Sequence, residues 1–107
     1  MTLSSVENQD ATTQLYSQIK VNETDLVKIL RTGDAVFYQS SGTELEGLST
    51  GLYYVEIFDD SGQLIKLYSS RSFIDSGTAV EFGEPVAGDV HSFTLFSQRS
   101  NLIKPRK

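Results

Sequence analysis

No cysteine and no tryptophan occur in this chain, and histidine occurs once. Without cysteine there is no disulfide framework, no thiol nucleophile and no thiolate metal site. The same absence removes the usual clue to redox compartment. No apolar run approaches the roughly 18 residues that span a membrane. The opening residues, MTLSSVENQDATTQ, lack the basic-then-apolar pattern of a secretory signal. Neither a membrane partner nor a cleaved leader is therefore expected. At 107 residues the chain has the size of one domain with one modest core, too small for a deep cleft between lobes.

Charge is unevenly spread. Residues 1–98 carry 14 acidic and 5 basic side chains, a formal charge of −9; residues 99–107 carry Arg99, Lys104, Arg106 and Lys107 with no acid, a charge of +4. An acidic body does not bind nucleic acid by broad phosphate neutralisation. The basic tail has two readings. It is either a solvated, frayed end or a segment that contacts an acidic surface, such as the body of a neighbouring copy.

The dominant pattern is alternation with period two. In GLYYVEIFDDSGQLIKLYS (51–69) two alternating runs flank the turn Asp59-Asp60-Ser61-Gly62. Tyr53, Val55 and Ile57 share one face of the first run, and Ile65 and Leu67 one face of the second. Such runs around a Gly-containing turn predict a hairpin. Further strands are expected at Leu15–Val21, Leu26–Leu30, Ala35–Tyr38, Thr78–Phe82 and Val90–Phe96, the last with Phe93 and Leu95 inward; for Leu26–Leu30 a short helix capped at Thr24 is the other reading. One helical turn is expected around Phe73 and Ile74, ended by Gly77. The expected fold is all-β, a small antiparallel sandwich or barrel of about seven strands. Residues 1–13 hold only Met1, Leu3, Val6 and Ala11 as apolar groups, without a period. They read as a polar N-terminal arm that makes no core alone and is held, if ordered, by a sheet edge or another subunit. The organisation is thus arm 1–13, β domain 14–98 and tail 99–107. Deleting either extension is expected to leave the domain folded.

Five short motifs stand in a fixed order: GDAVFY (33–38), GTELEGLSTGLYYV (42–55), LIKLYSS (64–70), SGTAVEF (76–82) and HSFTLF (91–96). This order resembles a β module of tailed-phage virion proteins and some bacterial surface proteins, over residues 26–96. Gly33 and Gly51 fit turns of positive φ ahead of strands. The turn at residues 59–62 is longer than the family's usual turn. Modules of this kind sit inside long fibre, tail or adhesin chains, whereas here the module is nearly the whole sequence. The resemblance implies a structural or adhesive role and supplies no catalytic residues.

The chemistry-bearing residues point the same way. A Ser-His-Asp triad would have to recruit His91, but His91 reads more simply as a strand-start residue bonded to a neighbouring loop. The carboxylate pairs Asp59-Asp60 and Glu44/Glu46 read as solvated turn and surface charge, since a glycosidase needs two carboxylates across a groove. Asp59–Gly62 lacks the spacing of an EF-hand loop and reads as a hairpin turn, with a weak Ca²⁺ site as the other reading. No cofactor is expected. Tyr16, Tyr38, Tyr54 and Tyr68 are the candidates for outward tyrosines on strands; Tyr54 and Tyr68 have parity opposite to the core set, and share an outer face with Phe58 if the two strands pair. A second sandwich layer, a sister subunit or a sugar could cover that face. The expected function is that of a non-enzymatic virion protein, a capsid decoration (cement) protein or a small tail or fibre component. Its partners would be copies of itself and other virion proteins. The expected interface residues are Leu3, Val6, Tyr54, Phe58, Tyr68, Arg99, Lys104, Arg106 and Lys107. The alternative is an adhesin module that binds a host-surface glycan through the Tyr face.

Overall fold

The computed structural model describes residues 1–96. The basic tail, with Arg99, Lys104, Arg106 and Lys107, lies outside the described residues. The described chain is one six-stranded antiparallel sheet in the order β1-β2-β5-β4-β3-β6. Its strands are β1 (Leu3–Gln9), β2 (Tyr16–Val21), β3 (Ala35–Ser40), β4 (Gly51–Asp59), β5 (Leu64–Tyr68) and β6 (His91–Leu95). The sheet curls until its edge strands meet. Thr2 bridges Ser92, Phe93 N–H donates to the Met1 carbonyl at 2.8 Å, and the Met1 amino group donates to the Phe93 carbonyl at 3.2 Å. The expected all-β class holds; of the two expected forms, sandwich or barrel, the described chain is a single curled sheet, closer to a half-barrel than to a sandwich, and it has six strands instead of about seven.

The core fills the concave side. Val36, Tyr38, Val55, Ile65, Leu67, Ile19, Val21, Phe82 and Phe93 are each fully buried there. In the central hairpin, Val55↔Leu67 and Ile57↔Ile65 pair across β4 and β5. Tyr53 and Ile57 are half-buried and pack against the same cluster. A sheet that buries one face and wets the other must alternate in this way.

Three expectations are corrected. Residues 3–9 are not an arm but β1, paired with β2 from Leu3↔Val21 to Gln9↔Tyr16. Asp10 makes the connecting turn, its Oδ1 accepting from the N–H groups of Thr12 and Thr13. The register slips between Leu3 and Ser5. That bulge inverts the alternation, so Leu3 and Val6, three apart, both pack on the core. Second, Leu26–Leu30 is not a strand. Leu26–Ile29 form one helical turn, α1, with Leu30 N–H donating to the Leu26 carbonyl at 2.8 Å. A strand would point Lys28 to the same side as Leu26 and Leu30; the helical turn buries both leucines and leaves Lys28 exposed. Third, Thr78–Phe82 reduces to a bridge. β2 and β5 pair only at Ile19↔Ile65 and Lys20↔Leu64 and then diverge. Residues 80–82 bond into the opening, Val80 N–H to the Leu67 carbonyl and Phe82 reciprocally with Tyr16. The expected turn at Phe73 is present as α2 (Phe73–Ser76), closed by Gly77 N–H on the Phe73 carbonyl.

The connection from β3 to β4 is held by Leu45 and Leu48, both buried. Gly47 between them has φ of +82°, and a Cβ there would lie 2.9 Å from the Glu81 carbonyl oxygen. Gly88 has φ of +92° with open space around it. Gly47→Ala should therefore destabilise by about 1–3 kcal/mol from backbone strain plus the cost of displacing residue 81. Gly88→Ala should cost the strain alone. Urea midpoints of the two variants check this; equal shifts would contradict it.

Candidate functional surface

The outer, convex face of the sheet is the place to look. Among the described residues no ligand-sized cavity opens, and no three His, Asp or Glu side chains group as metal ligands would. The register puts Leu52, Tyr54 and Glu56 of β4 outward, beside Ala35 and Phe37 of β3, Thr94 of β6, and Lys66 and Tyr68 of β5.

Tyr54 and Tyr68 are direct cross-strand partners on this face, as their parity predicts. They are not equally available. Tyr68 is only 5% exposed, and its hydroxyl donates to Glu56 Oε1 at 2.6 Å. Burial, and then this bond to Glu56, push that hydroxyl up to about 12. Tyr54 is half-buried, with the Arg71 guanidinium 5.2 Å from its ring centre. Arg71 is fixed in turn, its Nε donating to the Gly33 carbonyl at 3.0 Å. Phe58 sits at a second register shift, between Ile57 and Asp59, and is 48% exposed beneath the Lys66 ammonium at 4.4 Å. A stacking sugar would find Tyr68 closed, Tyr54 under the Arg71 guanidinium and Phe58 exposed but under the Lys66 ammonium.

Apart from Phe58, the open apolar residues of the face are ones that sequence reasoning passed over. Phe37 and Leu52 pair directly across β3 and β4 and are 36% and 42% exposed. Phe96, 41% exposed, donates its N–H to the Ala35 carbonyl at 2.9 Å, which continues the outward row on β6. Their signal was present as parity: Phe37 opposes core Val36 and Tyr38, and Leu52 opposes core Tyr53. Leu3 and Val6 do not belong to this surface, because they pack on the core. The turn after β4 is closed on itself, Ser61 Oγ donating to Asp59 Oδ1 at 2.9 Å and Gln63 N–H to the Asp60 carbonyl at 3.1 Å.

His91 starts β6, as expected, but is buried instead of meeting a loop at the surface. It stacks on Tyr38, ring centres 5.9 Å apart and 3° from parallel. Tyr38 Oη accepts from Leu45 N–H at 2.9 Å and lies 2.8 Å from His91 Nδ1. Nδ1 and the Tyr38 hydroxyl make one hydrogen bond in either neutral tautomer of the ring, and Tyr38, itself fully buried, is not the outward tyrosine expected from the sequence. Nε2 is buried without a partner. Burial lowers the His91 pKa below the ordinary histidine value, and Asp89 opposes this only in part. The unfolded chain therefore binds the proton more readily, and stability rises with pH. The contribution is complete above the ordinary value, near 6.5, and is lost as pH falls toward the lower folded value. The urea midpoint should drop between pH 7.5 and pH 5.5, and His91→Gln should flatten that slope. Equal slopes in both proteins would contradict the assignment.

No protein family, no curated protein and no solved structure was found to match this chain.

Proposed function

We propose that the protein is a non-enzymatic structural component of a tailed-bacteriophage virion, a capsid decoration (cement) protein or a small tail or fibre part. It joins copies of itself and other virion proteins through its outer sheet face and its C-terminal extension. The observation that carries this reading is the open apolar corner of Phe37, Leu52 and Phe96 on an acidic sheet whose chain ends in a basic segment. Apolar side chains gathered on one sheet face fit a protein interface better than a solvated surface. The order of the five motifs, which resembles a virion β module, supports the same reading. The mechanism is geometric: a stiff sheet fixes the surface, and the extension orders on contact, with many weak contacts adding up in an assembly. The N-terminal residues do not act as a free arm, because β1 belongs to the sheet.

A glycan-binding adhesin module using Tyr54, Phe58 and Tyr68 is less well supported, since Tyr68 is buried and Arg71 covers Tyr54. Sedimentation of the full chain over a range of concentrations tests the assembly reading. Association that weakens with added salt is expected. A monomer at every concentration and salt level would overturn it.

A further inference from the structure

Phe37, Leu52 and Phe96 occupy adjoining outward positions on three neighbouring strands, β3, β4 and β6. Around them Ala35 and Tyr68 are buried, Tyr54 lies under Arg71, the exposed Gln39 and Thr94 are polar, and the exposed Phe58 lies six residues along β4 from Leu52. The open area is thus a small apolar corner and not the whole sheet.

We propose that this corner receives residues 97–107 of a second copy of the chain, with Leu102 and Ile103 against Phe37, Leu52 and Phe96. The inference rests on the assembly reading and names its receiving surface. Three observations carry it. The segment leaves the sheet from Phe96, so donor and receiver lie side by side in the fold. Two copies can then exchange segments reciprocally about a two-fold axis. Next, Leu102 and Ile103 are the large apolar side chains of the segment, adjacent to each other, with Lys104 directly after them and Arg99 three residues before Leu102. An apolar pair between cations suits an apolar corner on a body of charge −9, which attracts a segment of charge +4. Finally, the span favours a neighbour. Residues 97–102 extend about 20 Å, enough to reach an adjacent copy. Returning to its own corner would need a reversal within Ser97–Asn101, whose turn-favouring residues are serine and asparagine, with no glycine to supply positive φ freely and no proline.

The cysteine-free sequence makes the test direct, because any disulfide must come from introduced residues. Full-length chains carrying Leu52→Cys are mixed with full-length chains carrying Ile103→Cys and mildly oxidised. A disulfide needs Cβ atoms about 3.5–4.5 Å apart. The mixture should give a cross-linked dimer several-fold in excess of a control mixture of Thr12→Cys and Ile103→Cys, Thr12 being exposed in the β1–β2 turn. A chain carrying both Leu52→Cys and Ile103→Cys should form no internal ring at high dilution. Cross-linking no better than the Thr12 control overturns the proposal, and so does an internal ring, which would place the segment on its own corner. If cross-linking fails while the unmodified chain still associates, the assembly reading stands and this receiving surface is wrong. If the unmodified chain does not associate at all, the assembly reading falls as well.

Discussion

Deleting residues 1–9 is expected to unfold the domain. β1 supplies the whole outer flank of β2, pairing from Leu3↔Val21 to Gln9↔Tyr16. Its removal takes away Met1, Leu3 and Val6, which pack on the core. Half-buried side chains of this size contribute roughly 1 kcal/mol each. It also strips one side of Ile19 and Val21, now fully buried, for which complete exposure costs about 1.5–3 kcal/mol each. The Met1–Phe93 bonds that join the sheet's two edges go with it. Small domains have only about 5–15 kcal/mol in total, so the loss is comparable with the whole stability. Circular dichroism and urea titration of the shortened chain should show no cooperative transition. A shortened chain with an unchanged midpoint would make β1 a dispensable arm after all.

Ending the chain after Phe96 is expected to have the opposite consequence: loss of association with the fold intact. The six described strands and the core cluster are built from residues 3–95, and the urea midpoint is expected to stay near that of the full chain. Association should weaken by at least about a hundredfold. Burying Leu102 and Ile103 against a neighbour is worth about 1.5–3 kcal/mol each, and tenfold in affinity corresponds to about 1.4 kcal/mol. The four cations add an attraction that salt screens over about 10 Å at 0.1 M. Raising the salt should move the full chain toward the behaviour of the shortened one, and leave the shortened one unchanged.

The central hairpin was legible because its alternation is regular and its turn is strong, and β4 and β5 lie where the apolar pattern puts them. β1 was illegible for a definite reason. Leu3 and Val6 are three apart, a spacing that fits neither face of a regular strand, and only the bulge after Leu3 turns both toward the core. The Asp10 turn was the one local signal of a hairpin there. Leu26 and Leu30 are four apart, which suits a strand and a helix equally; Lys28 between them decides for the helix. Residues 80–82 carry a strand pattern but find only the gap where β2 and β5 part. The candidate surface was half legible. Parity put Tyr54 and Tyr68 on the outer face, but Arg71 and Glu56, which cap and hold them, come from sequence separations that no local pattern encodes. Phe37 and Leu52 have the same parity signal and become notable only once the register makes them neighbours.

In the proposed assembly the two segments have different tasks: residues 1–9 build the sheet, and residues 97–107 would join it to a neighbour. Sedimentation velocity of the full chain and of the chain ending at Phe96, at matched concentrations in low salt and each paired with a urea titration, tests this most directly. Concentration-dependent association of the full chain only, with equal urea midpoints, is the predicted result. Equal sedimentation of the two proteins, or a shortened chain that no longer folds, would contradict it.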